Sequence, residues 1–199
     1  MKRAYYLLAL SVSLVLCGCE TTRYHPPPPL TGDPLVDGRN AMENGPAKDK
    51  VLWEYRMGLT AMQRGQYAEA KPLFDDAITR ISNLFGKDAD ARKARGLFHG
   101  EAKKTFVGEP YERAMAYYYR GILYWMDGEP DNARACWRSA ALEDSDTTDK
   151  KFASDYVLFD YLDGLASTKL HSDGSDALKR ATTNAKLSAP PAYDAKANV

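Results

Sequence analysis

Gly58-Leu59-Thr60-Ala61-Met62-Gln63-Arg64-Gly65-Gln66-Tyr67-Ala68-Glu69-Ala70-Lys71-Pro72-Leu73-Phe74-Asp75-Asp76-Ala77 and Gly121-Ile122-Leu123-Tyr124-Trp125-Met126-Asp127-Gly128-Glu129-Pro130-Asp131-Asn132-Ala133-Arg134-Ala135-Cys136-Trp137-Arg138-Ser139-Ala140 share one spacing. Gly58, Gly65, Ala70, Phe74 and Ala77 in the first stretch match Gly121, Gly128, Ala133, Trp137 and Ala140 in the second. Close packing of two antiparallel helices explains the pattern. Gly58 and Gly121 let a neighbouring helix approach, while Gly65 and Gly128 end the first helix and make the turn. Ala70 and Ala133 are small at the helix crossing. Phe74 and Trp137 fill the seam, and Ala77 and Ala140 again allow close contact.

Working outward, Leu52, Tyr55, Leu59 and Met62 recur at helical spacing from Asp49 onward, and Tyr67 to Ile81 forms a partner helix. Ala114 to Met126 and Asp131 to Leu142 read as a second pair, with Asp131 as the cap of its second helix. Phe152, Tyr156, Phe159, Leu162 and Leu165 read as the apolar face of a further helix. Asp176–Lys186 reads as its mostly polar partner, suited to the end of a stack. Strand alternation is absent over any useful length. The expected class is therefore all-α, built of antiparallel helix pairs.

The paired motif resembles the tetratricopeptide repeat, whose glycine, alanine, aromatic and alanine positions these are. The match covers roughly residues 51–83 and 114–146. The resemblance implies an α-solenoid, here with an insert between repeats. Gly58 and Gly121 lie 63 residues apart, against a repeat of about 34. The insert, 86–108, contains Ala89–Leu97 and Glu101–Phe106, which read as two short helices or an irregular pair. Arg120 and Glu54 depart from the family, which favours apolar residues at both positions, and Pro72 lies early in a second helix. Gly108-Glu109-Pro110-Tyr111-Glu112-Arg113, running into Tyr117-Tyr118-Tyr119, is also similar to a poorly characterised group of repeat-containing bacterial lipoproteins. Within the chain itself, Tyr111-Glu112-Arg113 reads as an ion-paired helix start that locks the insert to the second repeat, with Glu109 and Glu112 suited to the helix dipole.

The amino terminus has the layout of a secretory signal. Met1-Lys2-Arg3 precedes the apolar run Ala4 to Leu16, which is too short for a comfortable bilayer span. Leu16-Cys17-Gly18-Cys19 then looks like a lipobox. Cys19, after small Gly18, is the expected lipidation site. Cys17, after bulky Leu16, competes less well, and a plain secretory signal with two incidental cysteines is the alternative. Glu20 favours the outer membrane by the sorting rule of enteric-type bacteria. The domains expected are 1–18 signal peptide, 19–48 lipidated cysteine and Pro-rich tether (Pro26 to Pro29), 49–187 helical domain, and 188–199 disordered tail. Of three cysteines only Cys136 remains to the domain, so packing rather than a disulfide must hold it.

Cleavage removes Lys2 and Arg3 from a balance of 27 basic and 27 acidic residues. The slight acidic excess gives no reason to expect nucleic acid. His25, His99 and His171 lack metal-ligand spacing, and no catalytic motif occurs. Asp144-Ser145-Asp146 reads as a solvated loop. The expectation is a non-enzyme without metal or small-molecule cofactor. It would be held on the membrane by its lipid anchor in the envelope, at the outer membrane facing the periplasm. Its partner would be an unidentified envelope protein or peptide. The family resemblance implies a concave surface lined by first helices. That surface comprises Tyr55, Leu59, Met62, Tyr118, Ile122 and Trp125 as partner-binding residues. Packing between helices is the competing role for these aromatics. A structural peptidoglycan-binding lipoprotein, or an envelope-polymer hydrolase using His99, Glu101 and Glu109, is the alternative function.

Overall fold

The computed structural model describes residues 29–85, 106, 108–146 and 156–187. The expected signal peptide, Cys19, His25, Pro26 to Pro28, His99, Phe152, the Ala89–Leu97 stretch, residues 101–105 of the second insert stretch, and the expected tail 188–199 lie outside them. The described residues form seven α-helices and no strand: α1 Pro34–Asn44, α2 Lys50–Gln63, α3 Tyr67–Phe85, α4 Pro110–Met126, α5 Pro130–Ser145, α6 Val157–Lys169 and α7 Ser175–Leu187. A 3-10 turn, Ala47–Asp49, leads into α2. Each helix packs on the next along the chain. The all-α expectation is met. Among the described residues, no helix is long and apolar enough to cross a membrane.

The core divides along the stack. Leu35, Val51, Met57, Phe74, Ile81 and Leu123 join α1 to α4. Ala114, Ala140 and Phe159 form a second cluster, and Ala133, Trp137 and Ala166 a third. All four alanines of the repeated motif are fully buried, as close helix crossing requires. Pro72 lies inside α3, and the helix continues through it.

Several expectations need correction. Residues 34–44 are not part of a tether. Asp33 caps α1 by accepting from the Leu35 amide, and Pro34 sits in the first turn. The Asp-Pro pair that reads as a turn is thus also a helix start. A helix with one buried aliphatic residue, Leu35, shows no periodicity. Helix α5 begins at Pro130 after Glu129, not at an Asp131 cap. Asp144-Ser145-Asp146 is no solvated loop: Asp144 is buried and accepts from the Tyr156 amide, and Asp146 accepts from Arg113. In α6 the buried positions are Phe159, Asp163, Gly164, Ala166 and Ser167, whereas Tyr156 and Leu165 face solvent.

Candidate functional site

Three turns share one backbone geometry. Gly65 and Gly128 have φ of 71° and 79°. Their amides donate to Met62 and Trp125 carbonyls, and the next amides, Gln66 and Glu129, donate to Ala61 and Tyr124 carbonyls. This is the Schellman arrangement, which needs a left-handed residue after the helix. After α6 the same two bonds recur, from His171 to Thr168 and from Ser172 to Ser167, with His171 at φ 56°. His171 therefore stands seven residues after Gly164, as Gly65 stands after Gly58 and Gly128 after Gly121.

The three preceding glycines are equivalent in packing. A Cβ at Gly58 would lie 3.0 Å from the Phe74 ring, at Gly121 2.4 Å from Trp137 Nε1, and at Gly164 2.6 Å from Leu178. Each glycine is a seat for a large side chain of the following helix. The third pair lacks the repeated glycine spacing because His171 stands at the turn. Its last helix also starts later, burying Ala177 and Ala181.

These seats register a ladder. Three residues before each glycine stand Tyr55, Tyr118 and Tyr161; one residue after stand Leu59, Ile122 and Leu165. Six before stand Leu52, Met115 and Leu158. Offsets of three and four place each set on one side of its helix. Exposure rises along the stack. Tyr55 is 8% exposed and Tyr161 51%, with Tyr118 half-buried between them. Leu158 and Leu165 are exposed with Tyr161, a contiguous apolar strip on α6.

Of the partner-binding residues expected from sequence, Tyr55 is a correction. It lies in the first core cluster, and burial pushes its hydroxyl pKa up. Among the described residues that hydroxyl has no hydrogen-bond partner. Phe106 packs edge-on to Tyr55, ring centres 6.3 Å apart, and its amide donates to the Lys48 carbonyl at 2.8 Å. Leu59 and Met62 are half-buried against the same cluster. Tyr118 packs 6.0 Å from Phe159, and burial raises its pKa too. Ile122 is half-buried, and Trp125 leans on Trp137 at 5.6 Å. Leu158, Tyr161 and Leu165 were not singled out as a binding surface, although their offsets from Gly164 were in plain view.

Charges sort to the seams. The residue before each glycine is Met57, Arg120 or Asp163, and all three are buried. Arg120 makes two bonds to Asp75 on α3, at 2.7 and 3.1 Å, and stacks 3.6 Å over the Tyr124 ring. Burial alone would lower its pKa, but Asp75 outweighs that and raises it. At the following seam the signs are exchanged: Asp163 accepts from Arg134 on α5 at 2.8 Å. Glu54, fully buried, accepts from Arg80 at 2.6 Å. Burial nevertheless keeps its pKa raised, against the opposing pull of Arg80. The Cys136 thiol is pushed up to about 11, chiefly by burial, so it stays protonated and unreactive at neutral pH.

The Tyr111-Glu112-Arg113 stretch is structural, as expected, and it ties α5 as well as the last residue of the insert. Glu112 accepts from the Glu109 amide. Buried Arg113 binds Glu143 and Asp146 at the end of α5 and the Gly108 carbonyl, so it joins α4 to α5. A cleft of about 310 Å³ lies between α5, α6 and α7, lined by Arg138, Tyr156, Asp160, Asp163 and Arg180 among others. Its arginines pair with its aspartates, so it offers a balanced polar surface. Among the described residues no group of three His, Cys, Asp or Glu side chains is placed to hold a metal. Compared with protein-family models, curated proteins and solved structures, the chain finds no match.

Proposed function

We propose that this chain is a non-enzymatic interaction scaffold, lipid-anchored through Cys19 in the bacterial envelope. On this reading it is a tetratricopeptide-like solenoid. It binds a protein or peptide along the side carrying Tyr118, Ile122 and Trp125, continued by Leu158, Tyr161 and Leu165. One observation carries the proposal: a tyrosine-and-aliphatic rung recurs at fixed offsets from three equivalent glycine seats, and its last copy is exposed. Exposed apolar residues grouped on one helix mark interaction sites more often than single ones do. Tyrosine supplies large contact area at low entropic cost. The lipobox-like Leu16-Cys17-Gly18-Cys19 supports the address, with the outer membrane facing the periplasm favoured by Glu20.

The test is capture of envelope partners by the full chain and by a Tyr161→Ala/Leu165→Ala variant. Both side chains are exposed, so the variant should fold normally. Loss of at least one partner is expected; identical partner sets would sink the proposal.

A further inference from the structure

The first rung of the ladder is already filled, and the chain fills it itself. Phe106 belongs to no helix. It reaches the rung with two contacts, one through its main chain and one through its ring. Its main-chain N–H donates to the Lys48 carbonyl at the entrance to α2, and its ring meets Tyr55 edge-on. Two residues later the backbone turns at Gly108, φ 80°, whose carbonyl is held by Arg113. The equivalent tyrosine of the third unit, Tyr161, is half exposed, whereas Tyr55 is 8% exposed.

The fit is incomplete in one respect. The Tyr55 hydroxyl is buried with no partner among the described residues, and an unsatisfied buried donor is costly. The Phe106 ring carries no acceptor that could relieve it. An occupant with the same aromatic side chain plus an acceptor near the hydroxyl would fit better.

We propose that Lys48 and Tyr55 form a binding seat for an aromatic residue in an extended peptide segment, and that Phe106 is an internal ligand occupying it. The partner segment carries a Phe-like side chain and an oxygen acceptor within reach of the Tyr55 hydroxyl. It replaces Phe106 when it binds. This rests on the scaffold reading above and adds the partner chemistry and the competition at the first rung.

The test uses the full chain, wild type and Phe106→Ala, with two synthetic peptides as probes. One copies residues 102–109; the other copies them with alanine for Phe106. Hydroxyl-radical labelling of Tyr55 is the readout. In Phe106→Ala, labelling should rise roughly tenfold. The phenylalanine peptide should protect Tyr55 again, and the alanine peptide should not. Wild type should bind the phenylalanine peptide at least about tenfold more weakly than the variant, because its seat is filled. In wild type the Phe106 amide should exchange with solvent roughly a hundredfold faster than core amides of α2, showing that it leaves without global unfolding.

Unchanged Tyr55 labelling, or equal protection by both peptides, overturns the proposal. So does a Phe106 amide that exchanges only with the α2 core, which would make Phe106 a fixed part of that core. Should Phe106→Ala not fold, the wild-type exchange rate decides alone. Failure of the seat leaves the partner test on Tyr161 and Leu165 untouched, and failure of that test leaves the seat result readable.

Discussion

At Gly121 one added methyl group would meet Trp137 Nε1 at 2.4 Å, and Trp137 is backed by Trp125. At Gly58 the nearest atom, on the Phe74 ring, is 3.0 Å away. Overpacking costs about 1–3 kcal/mol, while alanine in place of a helical glycine returns up to about 1 kcal/mol. Gly121→Ala should therefore destabilise by about 1–2 kcal/mol and Gly58→Ala by less than about 1 kcal/mol, measured by denaturant unfolding. Glu54 provides a second test. Its carboxylate is fully buried and held by Arg80, whose side chain is 43% exposed. Removing one partner of such a pair leaves a buried charge alone, but replacing the charge by an apolar group of similar size is often harmless. Arg80→Ala should cost about 1–2 kcal/mol, discounted for its exposure. Glu54→Leu should be neutral or stabilising. If the two rank in the opposite order in thermal unfolding, the pair is a net stabiliser.

At the scale of the element, α1 is pinned by carboxylates. Asp37 accepts from the Thr31 amide and hydroxyl and from the Gly32 amide. Those bonds, the Thr31 amide foremost, hold its pKa below the ordinary 3.8. Asp33, held by Arg64 and the Leu35 amide, is lowered as well. A carboxylate depressed in the folded state contributes stability above its unfolded pKa, and that contribution is lost as pH falls through the folded value. Helix α1 should therefore stay docked at pH 5 and above and loosen below pH 3.8. Faster exchange of the Thr31 and Leu35 amides than of α2 amides in that range would report it. Asp37→Asn should show the loosening already at neutral pH. Helix α6 teaches a different lesson. Its apolar residues form two sides, one around Phe159 and one around Leu158, Tyr161 and Leu165. Periodicity finds such a helix readily, but which side faces inward depends on what lies beside it.

For the whole molecule, the expected lipid anchor and the helical domain are separable. The described helices contain no disulfide, and Cys136 is a free, half-buried thiol. Packing across the glycine seats and the charged seams is what holds them together. A full-length Cys19→Ser protein should keep the helix content and thermal midpoint of wild type yet move from the membrane to the soluble fraction. Fractionation with far-UV circular dichroism checks both halves. Continued membrane association would refute lipidation at Cys19.

The sequence alone determined the all-α class, all three helix pairs and two of their glycine turns, because small residues at fixed spacing report backbone approach directly. It also carried all three tyrosine rungs. Only the tertiary structure decided which rung is covered. Tyr55, Tyr118 and Tyr161 hold the same position relative to their glycines, yet Phe106 comes from a distant part of the chain to lie on Tyr55, while Tyr161 meets solvent. The third turn stayed hidden because a left-handed conformation belongs to the backbone, and His171 adopts it where glycine was expected. The buried charges show the same limit. Arg120, Asp163 and Glu54 look like surface residues in a sequence, and each becomes interior only because its partner stands on a neighbouring helix.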